Sequence, residues 1–470
     1  MIPWIMAGIP AGLLFLLASV LEARWFYLLT AGAAIVLVSF FFQDRKFFYL
    51  LVFSATISIG LVLHLGLKPS SVYRSTHAYL IYLCHLPLTV LIPVHMVRSL
   101  REGGSFFTTP AALAASVSLL TVSALAVVFG DASPYGWFDL FALSTSLVVF
   151  LAAANVIGEK RELEGVLVVI LLSVALQGII ASAQYLTRSS LGLELFGAPK
   201  ILSSYAGLSK VSRSGGTLGH PNNLALYLDL FLPLGLSLFL CPTLSRRRPL
   251  VGLAVFLGLM GLASTLSRGG LLAMGVVVVA ILLVHWRKHI GLLRAGFAVL
   301  ALISLAGILL LTTPNPIQKR FSKYDYGAGY GRYSLALVSM NVIRENPLLG
   351  TGLNRFTEAA WLVDNTPEGI VSLWNAPVHN LLLFITSETG VLGLVAFLWV
   401  LGLVLFALKA PLHSSDPVIA YTGLGTIMGF VAFLIHCQVD YVHWTHFNPF
   451  WFLAGIAISL RRIARLLPTG

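Results

Sequence analysis

His379 and Asn380 stand side by side where a long polar stretch gives way to an apolar run, in "NAPVHNLLLFITSETGVLGLVAF" (375–397), with Gly390 and Gly393 further on. An imidazole can accept a proton near neutral pH, which few side chains do unperturbed. Three arginine-bearing stretches supply cations of a kind that suits phosphate, because the guanidinium fork is planar, bidentate and always charged. Arg268 lies in "STLSRGGLLAM", Arg213 in "KVSRSGGTLGHPNNLALYLDL", and Arg332, Arg344 and Arg355 in "YDYGAGYGRYSLALVSMNVIRENPLLGTGLNRF". A base beside a cationic clamp suits transfer from a phosphate-activated donor to a hydroxyl. The base takes the hydroxyl proton as the bond forms, and the arginines hold the charge that builds on the departing phosphate. The blander readings are that His379 caps a helix and that Arg268 snorkels to a membrane interface.

Other polar residues invite weaker inferences. Asn222 and Asp229 are seven apart, as are Gln177 and Gln184, so each pair shares a helical face. The amides suit helix–helix hydrogen bonds, whereas a carboxylate is costly to bury, so Asp229 is expected to be paired or functional. Glu388 falls about half a turn out of phase with His379 if the helix is continuous, and the two are not paired on that basis. His436, Asp440 and His443 have the i, i+4, i+7 spacing of a zinc face. No fourth ligand is evident, and a belt of His, Tyr and Trp at the outer interface is the favoured reading. "GAGYG" has no strand before it and no Gly-Lys-Ser/Thr after it, which argues against a nucleotide loop. Cys84, Cys241 and Cys437 have no CxxC spacing and read as buried, inert thiols.

The elements that must position these groups follow from composition. The chain is 58% hydrophobic and 10% charged, with mean hydropathy +0.90, too apolar for a soluble domain. Continuous apolar windows recur from 3–20 to 447–461, and continuous rather than alternating runs mean membrane helices. The first lacks a basic leader and a cleavage site and is expected to be a retained span. The windows number fourteen and predict an all-α, polytopic integral membrane protein. With the N-terminus inside, sixteen basic residues fall in inside loops and four in short outside loops, the bias that sets orientation. The net charge of +12 is therefore read as topogenic and not as a nucleic-acid footprint. The expected organisation is N-terminal spans over 1–187, an outer loop over 188–221, central spans over 222–312, a large outer loop with surface helices over 313–378, and C-terminal spans over 379–470.

"HNLLLFITSETGVLG", with His-Asn, nine residues, Gly, two residues, Gly, resembles the signature of bacterial O-antigen ligases (the WaaL family) within the O-antigen ligase/polymerase superfamily. "SRGG" at Arg268, "GRYSLA" at Arg332 and "NPLLGTGLNRF" are similar too, and the likeness covers mainly 205–400. The resemblance implies a GT-C-like glycosyltransferase of the bacterial inner membrane with its site facing the periplasm. It implies transfer of a polysaccharide from undecaprenyl pyrophosphate to a hydroxyl of lipid A–core, among membrane lipids, by inverting displacement. It also implies no metal, cofactor, nucleotide or nucleic acid. His379 would be the base, and Arg268, Arg332 and Arg213 would hold the donor pyrophosphate. Asn380, Asn222, Asp229 and Arg355 would support them. The family usually has twelve spans against the fourteen windows here. Rival readings are an O-antigen polymerase or protein O-oligosaccharyltransferase of the same superfamily and, more distantly, a lipid-linked glycan flippase.

Overall fold

A computed structural model describes residues 109–130, 134–193, 203–206, 209–291 and 328–466, with scattered positions between 52 and 92 and between 294 and 300. It is almost entirely helical. The long helices are α1 (Pro110–Phe129), α2 (Pro134–Val156), α3 (Lys160–Thr187), α4 (Pro221–Leu240), α5 (Arg248–Thr265) and α6 (Arg268–Ile290). After them come α7 (Ala328–Glu345), the short α8 (Phe356–Val363), α9 (Leu381–Ala407), α10 (Pro417–His436) and α11 (Asn448–Leu466). Among the described residues, eight helices are long and apolar enough to cross a membrane: α1 to α6, α9 and α10. The last window, 447–461, forms α11, but Arg461, Arg462 and Arg465 leave that helix outside the eight. The windows 3–20 and 25–42 lie outside the described residues, as does 292–312 apart from scattered positions.

Two small ladders qualify the all-α expectation. Ser203–Ala206 (β3) pairs antiparallel with Ser209–Ser212 (β4) in the segment expected to be an outer loop. Gly60–Leu63 (β1) pairs with Tyr79–Tyr82 (β2) inside windows 47–67 and 78–97, which the sequence assigns to spans. "GLVL" and "YLIY" combine apolar character with β-branched and aromatic residues, so hydropathy alone does not separate strand from helix there.

Local chemistry sets the helix starts. Pro417 occupies the first turn of α10 behind the Asp416 cap, whose carboxylate accepts from Val418 and Ile419 N–H. Asn380 caps α9 by accepting from Leu383 N–H at 3.1 Å. Packing then relies on small residues, as expected where lipid removes the hydrophobic drive between helices. Gly425 and Gly429 of α10 lie against the α4 backbone, where a Cβ would come within 2.5 Å of Leu234 Cα and 2.2 Å of Leu230 O.

The bundle has two chemically different ends. At one, Lys160 at the start of α3 pairs with Asp416, and Arg462 of α11 donates to the Asn155 and Ile157 carbonyls after α2. At the other lie the N-termini of α4, α6 and α9 and the C-terminus of α10. This segregation follows the alternation read from the basic residues.

Helix α9 is broken. Gly390 has φ 67° and ψ −173°, a region open only to glycine. The segment 347–352 is built into the break: Thr351 and Gly352 N–H donate to Ser387 and Glu388 carbonyls at 2.9 Å, and Val391 N–H donates to Pro347 O at 2.9 Å. The backbone groups freed by the break are therefore satisfied inside the protein, as lipid requires. A Cβ on Gly390 would lie 2.1 Å from Leu348 O. Gly390→Ala is expected to lose folded yield in detergent and to lower the melting temperature of what remains. The strained backbone alone costs on the order of 1–3 kcal/mol. The check is thermal unfolding followed by size exclusion.

Candidate functional site

The site is assembled where α4, α6 and α9 begin and α10 ends. Asn380 ties two of them together, since its Nδ2 donates to Gln438 Oε1 at 3.1 Å while Leu381 N–H donates to Cys437 O at 2.9 Å. Cap and cross-link thus fall to the asparagine of the His-Asn pair, and the histidine before it is left facing the cluster. His379 stacks edge-on against Tyr441 at 4.9 Å and Trp374 at 6.1 Å. Among the described residues, its Nδ1 and the Nε of Arg332 are buried without a hydrogen-bond partner.

Arg332 enters from α7, whose Leu335, Val338 and Val342 are buried while Tyr330 and Tyr333 are exposed. A helix is therefore present within the outer segment expected to carry surface helices, over Ala328–Glu345. Burial pushes the His379 imidazole down to about 3, and the Arg332 and His220 charges add to that while the Pro377 carbonyl opposes it. His220 is likewise pushed down to about 4 by burial, with Arg213 adding to it. Burial pushes the Asp440 carboxyl up to about 6 against the pull of Arg332 and Arg213. His379, His220, Asp440, Arg213 and Arg332 thus share one electrostatic neighbourhood. Three helix N-termini add their positive dipole ends to it.

Other expected residues have protein partners. Arg213 donates from Nε to Thr265 O at 2.8 Å and from Nη2 to Asn222 Oδ1 at 2.7 Å. It fastens the loop before α4 to the end of α5, and Asn222 is its anchor. Gln177 and Gln184 of α3 grip the same loop. Gln177 accepts from Thr217 N–H at 3.2 Å and Gln184 accepts from Gly216 N–H at 2.9 Å. Arg355 lies elsewhere in the outer segment, donating to Gly130 O at 2.6 Å and pairing with Glu358 at 3.2 Å. Arg344 donates to Asn341. Arg268 is the first residue of α6, half-buried, behind the Ser267 cap.

Two sequence readings need correction. α10 ends at His436, so Asp440 and His443 lie in the following turns and the i, i+4, i+7 helical face does not exist. Among the described residues no group of three or more His, Cys, Asp or Glu is placed to hold a metal. Nor does His436 belong to an interface belt: it is 0% exposed, with Nδ1 2.8 Å from Asp229 Oδ2 and Nε2 3.2 Å from Ser267 Oγ. Asp229 is paired, as its burial cost demands, to a residue 207 positions away. Glu388, which the sequence left unassigned, faces the backbone of Asn354, Arg355 and Phe356 at the start of α8.

Residues 253–398 match the family model described as O-antigen ligase.

That segment is therefore similar to an O-antigen ligase domain, consistent with the O-antigen ligase/polymerase superfamily, whose members are glycosyltransferase-like enzymes acting on lipid-linked glycans. With its apolar helices, this makes the chain a multi-pass membrane protein. The match takes in Arg268, Arg332, Arg355, His379 and Asn380, and stops short of Arg213, Asn222, Asp229, His436 and Asp440. Among curated proteins, none matches the chain.

The charges give the site a testable property. With its midpoint near 3, His379 is neutral in the free protein at any pH suited to assay. An anion bound at Arg332 offsets the charge that disfavours the imidazolium, so the midpoint rises. Saturating inorganic pyrophosphate is expected to move the His379 imidazole signals toward the protonated form as pH falls. This is followed by NMR of labelled histidine, with the signals assigned by their loss in His379→Gln. Bound pyrophosphate with an unmoved His379 would place the anion away from Arg332.

Proposed function

We propose that this protein is an O-antigen ligase. It transfers a polysaccharide from undecaprenyl pyrophosphate to a sugar hydroxyl of lipid A–core, at the periplasmic face of a bacterial inner membrane, in a GT-C-like architecture. The observation that carries this reading is His379 Nδ1, buried without a hydrogen-bond partner among the described residues, in the electrostatic reach of Arg332 at the end of the bundle where three helix N-termini converge.

In this reading the acceptor hydroxyl reaches His379. Its oxygen bonds to the anomeric carbon as the bond from that carbon to the pyrophosphate oxygen breaks, which inverts the centre. The hydroxyl proton passes to the imidazole, and the electron pair leaves with undecaprenyl pyrophosphate. Arg268 and Arg332 hold the charge on the departing group, where preorganised cations act most strongly. Arg213 holds the loop beside them and completes the positive wall. A neutral histidine with a low midpoint is a weak base, and the incoming pyrophosphate corrects this. By offsetting Arg332 it raises the basicity of His379 only when donor is present.

The flippase reading relies on ionisable groups within the helices. Asp229 and Glu388, the carboxylates it would use, are already engaged by His436 and by the start of α8.

The test is reconstitution of purified protein with lipid-linked O-polysaccharide and lipid A–core. Wild type is expected to give a ladder of capped lipopolysaccharide unaffected by EDTA. His379→Ala and Arg268→Ala are expected to lower the rate at least a hundredfold, the scale of losing a general base or a charge-stabilising group. Lengthened lipid-linked chains instead of capped core would identify a polymerase. No glycan transfer from folded protein would remove the enzyme reading.

A further inference from the structure

Beneath Arg268 lies a chain of buried hydrogen bonds that the proposed chemistry does not use. Asp229 of α4 and His436 at the end of α10 are 0% exposed and Ser267 is 3% exposed. His436 Nδ1 is 2.8 Å from Asp229 Oδ2, and its Nε2 is 3.2 Å from Ser267 Oγ. Ser267 Oγ in turn accepts from Gly270 N–H at 3.4 Å, capping α6 one residue before Arg268. With Asp229 as acceptor, Nδ1 carries the proton and Nε2 accepts from the serine hydroxyl, which leaves the serine lone pairs facing the helix N–H groups. Every donor along the chain then has an acceptor, as a buried polar network needs.

The glycines of "SRGG" fit the same arrangement. A Cβ on Gly269 would lie 2.5 Å from His436 Cδ2 and 3.0 Å from its Nε2. A Cβ on Gly270 would lie 3.0 Å from Ala225 Cβ and 3.3 Å from both Asp229 Oδ2 and His436 Cε1. The first turn of α6 therefore rests directly on the imidazole ring. Asp440 Oδ2 lies 3.9 Å from Nε2. Three helices that are not neighbours in the chain are registered on one ring, and the residue following the Ser267 cap is Arg268.

We propose that Asp229, His436 and Ser267 are positioning residues for Arg268, a relay that fixes the start of α6 so that this guanidinium meets the pyrophosphate of a lipid-linked donor. The proposal rests on the reading of Arg268 as a donor-pyrophosphate ligand. The relay touches no reacting atom. It acts through Arg268 alone, which separates it from residues that merely hold the bundle together.

A double-mutant cycle on the full-length protein in detergent tests this, with inorganic pyrophosphate as the probe and calorimetry as the readout. Ser267→Ala is expected to weaken binding about tenfold, the effect of losing one buried hydrogen bond that orients a charged ligand. Ser267→Thr, which keeps the hydroxyl, is expected to restore it. In an Arg268→Ala background, where Arg332 still holds the anion, Ser267→Ala is expected to change nothing further. The two amide replacements of His436 add a second arm, because Gln reproduces Nε2 and Asn reproduces Nδ1. His436→Gln keeps the link to Ser267 and is expected to bind better than His436→Asn, at equal melting temperature. Equal loss from Ser267→Ala with and without Arg268 would overturn the relay, as would full binding by Ser267→Ala. If Arg268→Ala alone left pyrophosphate binding unchanged, the reading of Arg268 itself would fall, and the relay's role with it.

Discussion

A carboxylate inside a membrane helix must be met by a donor within the protein, because lipid offers none. On insertion scales an aspartate at a helix centre costs about 2.5–3.5 kcal/mol, and Asp229 is met by His436 alone among side chains, with Oδ1 lacking a hydrogen-bond partner among the described residues. That one contact dictates much else. It requires the end of α10 to lie beside the ninth residue of α4, which Gly425 and Gly429 permit by letting the two backbones touch. It also leaves His436 Nε2 needing a partner, which Ser267 supplies at the start of α6. The arginine-bearing turn is therefore located by packing and polar satisfaction together, and its glycines follow from the flat ring beneath it.

The break in α9 solves a related problem for the outer segment. A long soluble-side excursion must be anchored to a bundle that offers only apolar side chains along most of its length. Gly390 interrupts the helix, and 347–352 inserts its own backbone into the gap. Glu388 meets the backbone at the start of α8, and Ser339 of α7 reaches Ser387 at 2.8 Å. These contacts hold α7 against α9, and α7 carries Arg332. The glycine thus serves the candidate site indirectly, by fixing the helix whose Arg332 acts electrostatically on His379.

Within the site, charge and burial oppose each other in a productive way. The charges of Arg213 and Arg332 act on His220 and His379, which burial has already pushed toward neutrality. Such a pocket is poorly satisfied when empty and well satisfied when a polyanion enters. Asp440 moderates the excess, held between burial, which favours its neutral form, and two guanidiniums, which favour its charged form. In the proposed reaction, affinity for pyrophosphate and control over the base would come from the same residues.

The sequence by itself determined the class of molecule, the alternation of basic ends, the bounds of the long helices among the described residues to within a few residues and the residue types that could do the chemistry. Each of these is a local or additive property: hydropathy summed over a window, a cap beside its helix, an imidazole beside an asparagine. Only the tertiary structure decided which polar residues share a partner. Asp229 and His436 are 207 residues apart, and Arg213 and Thr265 are 52 apart, so no spacing rule relates them. For the same reason the i, i+4, i+7 spacing at His436 forms no helical face. Its periodicity assumed a helix continuing past a residue whose ring was already taken by Asp229 and Ser267. Arg213 and Arg355 looked alike in sequence, yet packing gave one the loop beside the site and the other a carbonyl at the end of α1. Where a side chain's role depends on what lies opposite it, the chain order is silent, because that neighbour is chosen by the burial of every helix at once.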